Sequence, residues 1–111
     1  MKPASGEKTV EEKNSGACPV IKAVDEIGSQ WRLNVLHDLQ DGEKRFNQIK
    51  ESTGASSSTL SRVLDDLEDR GLVERRVEER PIASYYRLTE KGKALHPALE
   101  ELGEWGEDWL G

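Results

Sequence analysis

One run of aliphatic residues in the second half of the chain restricts the folds open to it. Four of these residues stand at offsets of 0, 3, 4 and 7 positions, the spacing of one face of an amphipathic helix: Leu60, Val63, Leu64 and Leu67. Ser56 is a good N-cap for this helix, and Gly71 is suited to end it. The pattern therefore predicts a helix over 57–70 that buries one face and leaves the other in solvent.

A shorter helix is predicted directly before this one. Phe46 and Ile49 face inward over 46–53, and Gly54 supplies a tight turn between the two helices. Two short helices joined in this way present the second one outward, where it can enter the major groove of DNA. The pair is a candidate helix-turn-helix unit.

Helical spacing also occurs nearer the N-terminus. Val20, Val24 and Ile27 are four and three positions apart, and they follow Pro19, which suits a first helical turn. A second helix is predicted over 31–40, again with its apolar residues on one face.

The pattern changes after these helices. Segments 72–77 and 84–88 are rich in residues that favour strands, and the polar, proline-containing segment 78–83 predicts a hairpin loop between them. Thr89 then caps a single last helix. With a short strand before 46–53, this is the element order of a mainly α winged helix-turn-helix with a small β-hairpin.

Length and composition fit one small domain. The 111 residues are too few for two cores, and 1–17 contain only one large aliphatic residue, so a flexible acidic/polar tail should precede a domain over 18–111. The net charge of −6 excludes a generally basic, histone-like binder. No apolar run approaches the ~18 residues that cross a bilayer, and no signal-peptide core follows Met1, so a cytoplasmic protein without membrane contact is expected.

Hydroxyl and basic side chains mark the surface predicted to meet double-stranded DNA. Hydroxyls bond base edges or phosphates, and Arg62 is suited to a bidentate contact with guanine. Arg80, at the tip of the wing, is suited to a minor groove. The predicted DNA-binding residues are Lys44, Arg45, Ser56, Ser57, Ser58, Thr59, Ser61, Arg62, Arg75 and Arg80.

Charge is distributed in keeping with this orientation. The net charge is +3 over 44–62, +2 over 75–87 and −4 over 90–111, so the acidity lies away from the predicted DNA face. The far half of the exposed helix would repel DNA if it lay close, because it holds Asp65, Asp66, Glu68 and Asp69. The alternative is a module that binds protein partners through the same helix, in which the serines act only as caps.

Several segments together resemble the HxlR-type transcriptional regulators of the MarR-like superfamily. The similarity covers roughly 18–106 and is carried by Cys18-Pro19-Val20, Ile27-Gly28 with Trp31, Arg45-Phe46 with Ile49, Leu60 to Leu67, Gly71-Leu72-Val73 and Tyr86-Arg87-Leu88-Thr89-Glu90-Lys91-Gly92. The resemblance implies a homodimeric DNA-binding regulator. Its two recognition helices would lie about one DNA turn apart on a pseudo-palindromic operator, and repression is the default expectation because a compact dimer blocks polymerase.

The resemblance also implies that the first and last helices make the dimer contacts. The last helix is more apolar than a small domain needs to cover itself, and two tryptophans near a chain end are natural interface anchors. The alternative is that these residues complete the core of a monomer. The predicted dimer residues are Val20, Val24, Leu95, Leu99, Leu102, Trp105 and Trp109.

Two positions depart from the family pattern. The family commonly has a basic or larger polar residue at Ser58 and often a basic one near Ala83, so fewer positive contacts remain here. The acidic composition suggests, as a hypothesis, a salt-loving archaeal source. At about 1 M salt the Debye length is near 3 Å, so close contacts from hydroxyls and Arg62 would contribute more than a long-range field.

The single cysteine, Cys18, excludes an intramolecular disulfide framework and a multi-cysteine zinc site. The resemblance implies a redox sensor of quinones, aldehydes or oxidants at this position, since a helix N-terminus favours a thiolate and two copies in a dimer could form an intersubunit disulfide. The alternative is an inert residue at a helix start.

The sequence does not show an effector site; a small-molecule effector, if the chain has one, is expected in a pocket at the dimer interface lined by Trp31, Trp105 or Tyr85. Catalysis is not expected, because His37 and His96 stand alone and the sequence has no Ser/His/Asp order, glycine-rich phosphate loop or metal-ligand cluster. We therefore predict no cofactor, no metal and no enzymatic activity.

Overall fold

Six helices and three strands follow one another in residues 18–111, the part of the chain that this computed structural model describes. The tail predicted over 1–17 lies outside these residues. The elements are α1 (Pro19–Ile27), α2 (Gln30–Asp38) with a 3₁₀ turn (Leu39–Asp41), β1 (Lys44–Arg45), α3 (Phe46–Thr53), α4 (Ser57–Asp69), β2 (Val73–Glu79), β3 (Ile82–Leu88), α5 (Glu90–Lys93) and α6 (His96–Leu110). The predicted winged helix-turn-helix order is confirmed.

The helix-turn-helix unit is formed by α3 and α4. Gly54 ends α3 with a φ of 76°, a left-handed conformation in which a residue with a side chain would be strained. Ser56 caps α4, since its Oγ accepts the amide hydrogen of Thr59 at 3.2 Å. The predicted range 46–53 is confirmed, and α4 ends at Asp69, one residue earlier than predicted.

The core surrounds the apolar face of α4. The four residues of the predicted stripe are all buried, with Leu60 and Leu67 at 0% exposure. They pack with buried residues of α2, the 3₁₀ turn, α3, the turn before α4 and the base of the hairpin: Val35, Leu36, Leu39, Ile49, Ala55, Leu72, Val73, Tyr86 and Leu88. Because this face of α4 is held in the core, its opposite face points into solvent.

The strands form an antiparallel sheet in the order β1-β3-β2. β1 pairs at Lys44 with Tyr86 and at Arg45 with Tyr85, so the segment before α3 is joined to the base of the hairpin. The sequence predicts this strand from its position and does not reveal its partner.

The hairpin is longer than predicted. Glu78 pairs with Ala83 and Glu79 with Ile82, which leaves only Arg80 and Pro81 in the turn. The predicted loop over 78–83 was wrong, because the polar side chains of an antiparallel ladder can face solvent while their backbone stays paired. The wing formed by β2 and β3 therefore extends almost to the proline.

The single last helix that the sequence predicts is divided in two. Thr89 caps only the short α5, where its Oγ1 accepts the amide hydrogen of Gly92 at 3.2 Å. Pro97 has no amide hydrogen for the carbonyl of Lys93, so a continuous helix would leave that carbonyl unpaired. A new helix begins instead at His96, with the proline in its first turn. Within residues 18–111, no helix is long and apolar enough to cross a membrane.

Candidate nucleic-acid interface

The first turn of α4 presents small hydroxyl side chains to solvent. Ser57, Ser58 and Ser61 are exposed, and Thr59 is half-buried. Ser56 already accepts the amide hydrogen of Thr59, so its hydroxyl is partly committed to the cap. No acidic residue occupies this turn. Exposed hydroxyls around a helix N-terminus are suited to phosphate oxygens and to base edges.

Arg62 lies on the exposed face of α4, one turn beyond Ser58. Within the described part of the chain, no carboxylate oxygen lies within 4.0 Å of its guanidinium. The side chain borders a cleft that Trp31 and Arg32 line from the side of α2. Arg62 therefore combines a free cation with an outward position.

Asp66, in the second half of α4, is held by two arginines. Its Oδ2 accepts a hydrogen bond from Arg32 Nε at 2.6 Å, and its Oδ1 accepts one from Arg70 Nε at 3.2 Å. Desolvation opposes ionisation here, but the hydrogen bonds from Arg70 and Arg32 outweigh it and lower the pKa of Asp66. This carboxylate is therefore compensated within the fold.

The other acidic residues of this half differ in their surroundings. Glu68 lies 3.7 Å from Nε of Arg75 on β2, whereas Asp65 and Asp69 are exposed. The expected repulsion of DNA thus falls mainly on these two exposed carboxylates.

The same network joins the end of α1 to α4. Arg32 Nη1 donates to the carbonyl oxygens of Asp25 and Glu26 at 3.2 and 3.3 Å. The carboxylate of Glu26 accepts from Lys91 at 2.6 Å and from Arg70 at 3.2 Å. The hydrogen bond from Lys91 is the main cause of the lowered pKa of Glu26. Charge-assisted bonds therefore fix α1 against the exposed helix.

Several cations on the predicted DNA side are already paired. Lys44 Nζ lies 2.8 Å from Oδ1 of Asp38, and Arg87 Nε lies 2.8 Å from Oε1 of Glu74. Arg75 is the partner of Glu68 described above. Within residues 18–111, the cations on this side with no carboxylate inside 4.0 Å are Arg45, Lys50, Arg62 and Arg80.

Arg76 braces the wing. Its Nη2 lies 2.7 Å from Oε2 of Glu43, its Nη1 lies 2.7 Å from Oε2 of Glu78, and its guanidinium stands 4.5 Å from the centre of the Tyr85 ring. The hydrogen bond from Arg76 lowers the pKa of Glu43. This cation therefore holds the hairpin to the segment before β1 and has little charge left for a phosphate.

A cleft runs between the wing and α4. Ser61 lines it from α4, Arg45 from β1, Asn47 from the start of α3 and Ile82 from the wing. The sequence does not single out Asn47 or Ile82. The sequence does contain a signal for Ile82, because it lies on the same face of one strand as Tyr86 and Leu88. The assignment of 78–83 to a loop concealed this alternation of side chains.

The predicted dimer residues fall into two groups. Leu99 is buried and Leu95 packs against the core, so these two side chains are largely covered within one chain. Leu110, absent from the predicted set, is also exposed. In the second group of predicted dimer residues, each side chain is more than half exposed: Val20, Val24, Leu102, Trp105 and Trp109.

Cys18 stands directly before α1 and is half-buried. Its carbonyl oxygen accepts the amide hydrogen of Lys22 at 3.0 Å, while its thiol makes no capping hydrogen bond. The sulfur therefore has no role in closing the helix.

The aromatic residues predicted around an effector lie in different settings. Trp31 lines the cleft beside Arg62, Tyr85 lies under Arg76, and Trp105 is exposed on α6. Both histidines are exposed, and His96 Nε2 lies 3.2 Å from a carboxylate oxygen of Glu100.

Comparison with known proteins agrees with this geometry. The model of the HxlR-like helix-turn-helix family matches residues 26–111. An HTH-type transcriptional regulator of Methanothermobacter thermautotrophicus is 44% identical over 92 residues, which cover 81% of this chain and 70% of that protein. The HTH-type transcriptional regulator YodB of Bacillus subtilis is 37% identical, over 83% of this chain and 85% of its own.

Solved structures are similar over the same region. The reduced form of YodB superposes with a TM-score of 0.73 and covers 83% of this chain and 93% of that one. The redox regulator HypR in its reduced form superposes with a TM-score of 0.77 at 34% identity, covering 82% of this chain and 92% of that one.

Proposed function

Because the chain belongs to the HxlR-like helix-turn-helix family, we propose that it is a transcriptional regulator that binds a pseudo-palindromic operator as a homodimer and represses transcription. Its curated relatives are HTH-type transcriptional regulators, so DNA binding and transcriptional regulation are its general function. The operator, the dimer and repression are the finer parts of the proposal.

One observation carries the operator proposal. The outward face of α4 begins with exposed hydroxyls and the free cation Arg62, while Asp66 and Glu68 further along are paired with arginines. The N-terminal half of α4 can therefore approach base edges, and Arg45 and Arg80 flank it as candidate phosphate contacts.

The dimer proposal is supported by the apolar surface of the terminal helices. Trp105 and Trp109 are 57% and 74% exposed on α6, and Val20 and Val24 are exposed on α1. Large apolar side chains of this kind are typical anchors of an interface. In a two-fold dimer the two copies of α4 would read successive half-sites.

The test is binding of the purified chain to DNA from its own upstream region. An unrelated fragment of equal length is the control, and both are measured over a salt series. Tight binding to its own fragment alone is the expected result. Equal, weak and salt-sensitive binding to both fragments would contradict a specific operator and favour the protein-binding alternative, which a pull-down would then examine.

We also propose that Cys18 senses oxidants. The supporting observation is that the similar structures include reduced and oxidised forms of HypR and a diamide-treated form of YodB. Cys18 is partly accessible, and its thiol is not used as a helix cap. In oxidation to an intersubunit disulfide, two thiols would lose two protons and two electrons to the oxidant, diamide in this case, which becomes the hydrazine.

The effect of diamide on operator binding tests this sensor. Wild-type affinity is expected to change at least severalfold on treatment and to recover with dithiothreitol, whereas Cys18→Ser should not respond. A response of equal size in Cys18→Ser would contradict the proposal, and non-reducing electrophoresis reports directly whether two chains become linked.

A further inference from the structure

An apolar patch lies on the face of the wing that is turned toward α4. At the base of the hairpin this face is buried through Val73, Tyr86 and Leu88. Because side chains alternate along a strand, the same face continues outward through Val77 on β2 and Ile82 on β3. These two side chains are 54% and 84% exposed. The patch is defined here as Val77 and Ile82.

The patch adjoins the proposed DNA face. Ile82 borders the same cleft as Ser61 of α4, and Arg45 and Asn47 also line it. When α4 enters a major groove, the backbone strand at the edge of the groove must pass close to its flank. The cleft is the space available for that strand.

The wing has little free charge with which to hold a backbone strand. Arg75, Arg76 and Arg87 each lie within 4.0 Å of a carboxylate of the chain. Arg80, at the tip, is the one cation of the wing with no carboxylate within 4.0 Å in the described residues. An exposed isoleucine beside such a cleft is suited to an apolar packing contact with the carbon atoms of deoxyribose.

We propose that Ile82, with Val77 diagonal to it across the hairpin, makes a non-ionic contact with the DNA backbone. Ile82 packs on deoxyribose within the cleft, while Arg45 and Asn47 meet the flanking phosphates. This inference rests on the DNA-binding function proposed above. A second copy of the chain is the competing occupant, but the terminal helices offer a larger exposed apolar surface that includes two tryptophans.

The test measures affinity for the chain's own upstream fragment and for an unrelated fragment over a salt series, using three variants of one exposed position. Ile82→Ser is expected to weaken binding to both fragments roughly five- to tenfold without changing the slope of log K against log salt. Ile82→Val should retain most of the affinity. Ile82→Lys should steepen the slope by about 0.9 for each bound subunit, because it places a new cation beside phosphate.

Three other results would contradict the contact between the wing and DNA. Unchanged affinity in Ile82→Ser, together with an unchanged slope in Ile82→Lys, would overturn the wing contact and leave the proposed function intact. A change of oligomeric state in Ile82→Ser, seen by light scattering, would assign the patch to a second copy and overturn the contact. If the wild-type chain binds neither fragment, the wing contact and the proposed function both fail.

Discussion

Two arginines of the helix predicted over 57–70 differ in their local surroundings. Arg62 is free and outward, whereas Arg70, two turns later, is bound to Asp66 and Glu26, and the hydrogen bond that it donates to Asp66 raises its pKa. Only the first of these arginines is available to a base edge. The distinction could not be made from sequence, because both residues are arginines within one predicted helix.

Arg62→Ala is expected to weaken binding to the operator by about 1–3 kcal/mol, the range for loss of a bidentate contact with guanine. The effect should be much smaller on an unrelated fragment. Fluorescence anisotropy with both fragments measures it, and Arg45→Ala, at a candidate phosphate contact, serves as the control, because loss of a phosphate contact weakens all sequences about equally. A loss below a few tenths of a kcal/mol would remove Arg62 from base readout.

Gly92, in the motif that follows Thr89, allows a close backbone contact between α5 and the start of the hairpin. A Cβ at this position would stand 2.4 Å from the carbonyl oxygen of Leu72, so the start of α5 can approach the beginning of the hairpin only without a side chain. The sequence contains the glycine but does not show which backbone lies against it.

At the scale of elements, local patterns predicted the helices and missed the long-range pairings. The stripe from Leu60 to Leu67, the Ser56 cap and the Gly54 turn depend on neighbouring residues, and all three are confirmed. The bonds of Arg76 to Glu43 and of Arg32 to Asp66 join residues more than 30 positions apart, which no periodicity encodes. The sequence therefore indicates which hydroxyls and cations belong to the proposed DNA face, but not which of its charges are already paired.

The junction of α1 with α4 should make stability depend on pH. The folded-state pKa of Asp66 is lowered, so this carboxylate contributes stability above the unfolded pKa of about 3.9, and that contribution is lost as pH falls through the folded pKa. Asp66→Asn is therefore expected to lower the free energy of unfolding by about 1 kcal/mol at neutral pH, after allowance for partial solvent screening, and to flatten its decline in acid.

Urea unfolding followed by tryptophan fluorescence between neutral pH and about pH 3 would measure this contribution. Asp69→Asn is the matched control, since Asp69 is exposed on the same helix. Identical pH profiles for the two variants would show that the bonds of Asp66 do not stabilise the fold.

At the scale of the whole molecule, the proposed DNA face and the proposed dimer surface are formed by different elements. The first turn of α4, the cleft and the wing form one surface, and α1 and α6 carry the exposed apolar side chains. The sequence predicted most of the second set correctly as apolar and terminal, but it could not tell that Leu95 and Leu99 are covered by their own chain, because helical spacing alone does not say which neighbour covers a residue.

Trp105→Ser combined with Trp109→Ser is expected to shift the chain from dimer to monomer, with at least a tenfold weaker dimer affinity, because tryptophans at an interface commonly contribute about 2 kcal/mol or more each. Analytical ultracentrifugation over a concentration series measures this shift. Ile82→Ser, which alters an exposed apolar residue on the wing, should stay dimeric. A doubly substituted chain that dimerises like wild type would place the interface elsewhere.

The first turn of α4 and its C-terminal end differ in how firmly their side chains are held by the rest of the fold. Ser57, Ser58 and Ser61 are exposed, whereas Asp66 and Arg70 are tied to α1 and α2. Exchanges in the first turn should therefore cost little folding free energy, and under the proposed function they would alter the preferred duplex. After gene duplication, two such regulators could therefore diverge in the DNA sequences that they bind while they keep the same fold. Substitutions at a few hydroxyl positions would then be enough to give the two copies different target genes.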